Sequence, residues 1–111
     1  MPGRVRTRRQ FALFATPTGR GQSGPLRISF VVAGDESTSV DVAYAISRKV
    51  GKAVLRNQIR RRIRALVDDL EPQPHPGIYL IRCGFETGNL SYDELQRHLR
   101  QAVQRANGHQ K

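Results

Sequence analysis

The stretch from about Ala53 to Leu70 constrains this chain most, because it is both the wall of a core and a dense row of cations. Projected at 100° per residue, Leu55, Ile59, Ile63, Leu66, Val67 and Leu70 fall within about 120° of one another, the apolar face of a helix laid on a core. Arg56, Asn57, Arg60, Arg61 and Arg64 occupy a second arc of about 140°, and Gln58 and Arg62 take the remaining flank. From Arg48 to Arg64 there are eight basic residues and no acid. Solvated helix faces usually interleave both signs. Here Arg56, Arg60 and Arg64 repel at i,i+4, which costs a few tenths of a kcal/mol per pair unless an anion neutralises them. A membrane-surface helix would also be basic, but its apolar face would have to leave the core that needs it.

The rest of the chain points the same way. Nineteen Lys and Arg face nine Asp and Glu in 111 residues, a net charge of +10. All but Lys49, Lys52 and Lys111 are Arg, the cation suited to planar phosphate recognition and to stacking on bases. A polyanion is the expected partner. The length allows one domain over residues 1–111, with a basic, flexible segment at 1–10 and a polar tail at 107–111. The single Cys83 excludes a disulfide framework and reads as a small buried apolar residue. No apolar h-region follows the basic N-terminus, and no apolar run approaches the ~20 residues of a membrane span. The chain is therefore expected in the cytoplasm with no membrane partner.

Phe11 to Phe14 suggests a short helix ended by Pro17, and Gly19 to Pro25 a loop or irregular edge. Leu26 to Ala33 and Val40 to Ile46 alternate like half-buried strands and suggest a hairpin across an acidic turn at Gly34 to Ser39. After the basic helix, Pro72, Pro74 and Pro76 form a stiff connection. Gly77 to Cys83 reads as a strand buried on both faces. Ser91 and Glu94 have capping-box spacing, flanked by Leu90 and Leu95 as a hydrophobic staple, before a helix buried along Leu95, Leu99, Ala102 and Val103. The expected fold is α+β: a single-domain sandwich of helix, strands, long basic helix, strand and helix.

The run Ser47-Arg48-Lys49-Val50-Gly51-Lys52-Ala53-Val54-Leu55-Arg56-Asn57-Gln58-Ile59-Arg60-Arg61-Arg62-Ile63-Arg64 resembles the signature of the bacterial ribonuclease P protein component. Arg48, Lys49, Gly51, Ala53, Val54, Arg56, Asn57, Arg60, Arg61 and Arg64 match its pattern, and the elements on either side follow in the family's order. Two departures stand out. The family's Arg-Asn-Arg is Arg56-Asn57-Gln58 here, and its two N-terminal Phe, four apart, correspond to Phe11 and Phe14, three apart.

The resemblance implies a subunit of a ribonucleoprotein that removes the 5′ leader of precursor tRNA. It implies that the catalytic RNA subunit performs the hydrolysis with Mg²⁺, and that no protein partner is required. The crossover from strand to helix to strand is implied to be left-handed, against the usual hand. RNA contact is then expected from Arg48, Lys49, Lys52, Arg56, Asn57, Arg60, Arg61 and Arg64. Phe11, Phe14 and Tyr44 have two readings. They are either core residues or stacking platforms for single-stranded leader bases, each stack being worth roughly 1–3 kcal/mol. No catalytic or metal-binding residue is expected: the acids are dispersed without two-metal spacing, and His75, His98 and His109 fall in a loop, on a helix surface and in a tail. Two other classes are a ribosomal-type structural RNA-binding protein without a role in cleavage and a duplex-DNA-binding helix. Activation of a catalytic RNA on precursor tRNA separates the first, and duplex DNA affinity the second.

Overall fold

The structure, a computed structural model, describes residues 3–4, 12–33 and 38–108. Phe11, His109, Lys111 and most of the basic segment at 1–10 lie outside the described residues, as do 34–37 of the acidic turn. Five strands form one mixed sheet: β1 (Gly3–Arg4), β2 (Gly19–Ser23), β3 (Leu26–Val32), β4 (Val40–Ile46) and β5 (Gly77–Cys83), in the order β1-β4-β5-β3-β2. Two helices, α1 (Ala53–Asp68) and α2 (Tyr92–Ala106), pack against one face.

β5 organises the sheet. Its apolar run needs cover on both faces and a neighbour on both edges, and it receives β4 in parallel and β3 antiparallel. The hairpin expected between β3 and β4 is therefore not formed, because β5 lies between them. The parallel pair β4–β5 is joined through α1, the strand–helix–strand crossover that the resemblance implies. Toward the helices the sheet presents Leu26, Ile28, Phe30, Val42, Tyr79, Ile81 and Cys83, packed on Ile59, Ile63, Leu66, Val67, Leu95 and Leu99.

The segment from Gly19, expected as a loop or irregular edge, is a regular edge strand that forms a hairpin with β3. Its glycines reflect close packing. A Cβ on Gly21 would overlap the carbonyl oxygen of Ala102, and one on Gly19 that of Ala106, so α2 can lie on this strand only where side chains are missing. The N-terminal apolar patch is a single 3₁₀ turn at Leu13–Ala15. The capping box at the start of α2 is complete: Ser91 Oγ accepts from the Glu94 amide, and Glu94 Oε1 accepts from the Ser91 amide. These bonds hold the Glu94 carboxyl below its ordinary range.

Candidate nucleic-acid interface

The sequence-predicted cations gather along α1 and the turn before it. Ser47 follows β4 and accepts a hydrogen bond from the Lys49 amide, capping the 3₁₀ turn Arg48–Val50, in which Arg48 and Lys49 are exposed. Lys52 is the N-cap of α1, makes no side-chain capping bond, and is followed by a first turn without acids. The positive end of the helix dipole thus sits among Arg48, Lys49 and Lys52, where an anion is stabilised and a cation is not. Further along, Asn57 and Arg61 are exposed, while Arg56, Arg60 and Arg64 are half-buried at the border of the core. The Arg56 Nε is buried without a hydrogen-bond partner. Arg60 donates to Asn57 Oδ1 at 2.7 Å, so that amide orients a neighbouring guanidinium.

Of its two readings, core residue or stacking platform, Tyr44 takes the first. Its register partner on β5 is Ile81, and it packs against the main core on the helix face, not beside Phe14. Burial pushes its hydroxyl pKa up, opposed by a hydrogen bond with Arg64. Period-2 alternation accounts for this: Val40, Val42, Tyr44 and Ile46 share one side, and that side is the core.

The face away from the helices carries a second cationic surface. Gln22, Arg27, Arg82 and Ala45 stand in register across β2, β3, β5 and β4, with Arg20, Ser29, Leu80 and Ala43 in the neighbouring row. Phe14 and Ile78 pack against Ala43 and Leu80. Two adjoining hollows, about 460 and 640 Å³, share Gln22, Arg27 and Arg82 and form one groove. Phe14 and Arg20 line one end, and Ser47 and Phe85 the other. Sequence reasoning did not single out Arg20, Arg27, Arg82 or Phe85. The alternation that buries Leu26 and Ile28 carries a signal for Arg27, and Arg82 interrupts the apolar run of β5.

The histidines also have local roles. His98, expected on a helix surface, is half-buried against Gly24, and its Nδ1 lies 2.7 Å from Ser23 Oγ. Ser23 donates to Gln101, so it accepts from the His98 ring. The His75 carbonyl accepts from the Tyr79 hydroxyl. Among the described residues no group of three His, Cys, Asp or Glu is placed to hold a metal ion. No helix there is long and apolar enough to cross a membrane.

A single mixed sheet, with helices on one face, an arginine-lined groove on the other and a cationic helix beside it, defines a basic α+β protein built to hold polyanions. The ribonuclease P family model matches residues 2–107. The ribonuclease P protein component of Streptomyces bikiniensis is 32% identical, over 95% of this chain and 92% of that one. That of Gluconacetobacter diazotrophicus is 30% identical, over 93% and 90%. Among solved structures, the RNase P protein of Staphylococcus aureus has the same fold, with a TM-score of 0.76 at 17% identity over 94% of each chain. That of Thermotoga maritima has a TM-score of 0.71 at 19% identity, covering 86% of this chain and 90% of that one.

The chain belongs to the ribonuclease P protein-component family, RNA-binding subunits of an endoribonuclease that processes tRNA. The alternative of a structural RNA-binding protein of ribosomal type is not favoured.

Proposed function

We propose that this protein grips the catalytic RNA of ribonuclease P through α1 and holds the 5′ leader of precursor tRNA in the groove on the open face of its sheet. The carrying observation is the placement of the two cationic surfaces. Arg56, Arg60, Arg61 and Arg64 lie on the helix layer, Arg20, Arg27 and Arg82 on the opposite face of the sheet, and Arg48 and Lys49 lie in the turn between β4 and α1. One protein can then bind two RNA segments at once and raise the effective concentration of the second.

The protein's own work is binding and orientation. Guanidinium groups on α1 neutralise phosphates of the RNA subunit, and the N-terminus of α1 adds unpaired amides to that surface. Arg27 and Arg82, side by side in register, meet successive leader phosphates, and Phe14 offers an apolar contact beside them. Mg²⁺, bound by the RNA subunit and not by residues of this chain, would supply the activated water for phosphodiester hydrolysis. The complex works in the cytoplasm and needs no further protein.

Reconstitution tests this reading. Protein, RNA subunit and precursor tRNA in Mg²⁺ buffer are expected to release leader faster than RNA subunit and precursor tRNA without it. The nuclease-free protein alone is expected to release none with any divalent metal. Turnover by the protein alone, or no effect on the RNA subunit, would contradict it.

A further inference from the structure

Phe85 has no packing duty that explains it. It is 64% exposed, and no described aromatic residue is more so. The 3₁₀ turn it opens, Phe85–Asn89, is held by other groups. The Gly84 amide donates to the Pro25 carbonyl, Thr87 donates through both its amide and its hydroxyl to the Gly84 carbonyl, and Gly88 packs against Val50 and Leu55. Thr87 is 3% exposed and anchors the turn where Phe85 does not. The ring is thus presented to solvent by a fixed backbone, on the wall of a hollow shared with Arg27, Arg82 and Ser47.

We propose that Phe85 is a stacking platform for one unpaired base of single-stranded RNA, with Arg27 and Arg82 on the phosphates beside that base. An aromatic face next to a row of cations is the arrangement that grips single strands with little sequence preference, since every base has a π-face. Glu86 is the one acid lining that hollow, against two arginines, so the hollow favours an anionic strand. The proposal rests on the leader occupying the groove and adds a location. The turn carrying Phe85 packs against the Arg48–Val50 turn, which leads into α1. Phe85 therefore takes a leader base near the RNA-subunit side, whereas Phe14 and Arg20 are reached only by longer leaders.

The test uses holoenzyme and precursor tRNAs whose leaders are lengthened one nucleotide at a time or made abasic at single positions. Phe85→Ala is expected to weaken binding of leader-bearing tRNA about 5- to 150-fold, with thermal unfolding unchanged because the ring is exposed. Phe85→Tyr should bind as the parent does, and Phe85→Leu as Phe85→Ala does. One abasic position close to the cleavage site should cost the parent about as much as the alanine change and cost Phe85→Ala nothing further. Equal sensitivity of parent and Phe85→Ala to every abasic position would overturn the stacking assignment, as would an equal loss of mature tRNA binding. A parent holoenzyme that does not distinguish leader-bearing from mature tRNA would instead overturn the groove reading beneath it.

Discussion

Asn57 Oδ1 accepts a 2.7 Å hydrogen bond from Arg60 Nη1, three residues further along α1. Asn is a poor helix-interior residue, so an amide there needs a purpose. The sequence suggested an RNA contact for it, and the structure gives it the Arg60 guanidinium as a partner. Pre-ordering a long side chain lowers the entropy lost on binding. Asn57→Ala is expected to weaken affinity for the RNA subunit by about two- to fivefold, roughly the worth of one hydrogen bond. Arg60→Ala should cost more, and adding Asn57→Ala to it should cost nothing further. If Asn57→Ala proved more damaging than Arg60→Ala, the amide would be contacting RNA itself.

Gly21 lies under α2, with no room for a Cβ beside the Ala102 carbonyl oxygen. Gly21→Ala forces backbone apart from backbone and should destabilise the fold by about 1–3 kcal/mol or more. Gly84→Ala, where the nearest atom would be 3.3 Å from the new Cβ, should cost much less. Denaturant unfolding of both variants checks the contrast, and equal stabilities would place α2 further from β2 than described.

Cys83 is 3% exposed, and burial pushes its thiol up to about 12 from 9.0. The folded state therefore keeps a proton that the unfolded chain has lost. This contribution to stability is complete below about pH 9 and is lost as the pH rises from there toward 12. Tyr79, pushed up to about 12 from 10.0, adds to the fall above pH 10. Between pH 9 and 10 the unfolding free energy should drop by at most about 1.4 kcal/mol through the thiol, and Cys83→Ala should flatten that segment. A native thiol that reacts promptly with a disulfide reagent at pH 8 would contradict the burial.

Binding to the RNA subunit is expected to be dominated by phosphate contacts. The slope of log K against log salt should correspond to about four to eight released counterions. A nearly flat salt dependence would overturn the electrostatic role given to residues 48–64.

Periodicity alone placed α1 and its apolar face correctly, because Ile59, Ile63, Leu66 and Val67 repeat at helical spacing and all are buried. Ser91 and Glu94 announced the start of α2 just as directly. Strand order was not legible. Alternation in β3 and β4 identifies two strands but says nothing about a third, 31 positions after the end of β4, that inserts between them. β2 was obscured because glycines required by a neighbouring helix look like glycines of a loop. The cationic helix could be read from Arg48 to Arg64, which are local in sequence. The groove could not, because Arg20, Arg27 and Arg82 come from three strands and meet only through register. Tyr44 could have been placed: it shares the parity of Val42, which puts it on the core side.

The central claim is that two separate surfaces hold two RNA segments. Its most direct test is the affinity of holoenzyme for leader-bearing and mature tRNA, measured for Arg27→Ala, Arg82→Ala and Arg61→Ala, each confirmed as folded. The two groove variants should lose affinity for leader-bearing tRNA by about tenfold, the scale of a lost charged contact, while binding mature tRNA and the RNA subunit as the parent does. Arg61→Ala should weaken assembly with the RNA subunit and, once assembled at saturating protein, leave the preference for the leader intact. Groove variants that lost both tRNA forms equally, or an Arg61→Ala holoenzyme that lost its preference for the leader, would contradict the division.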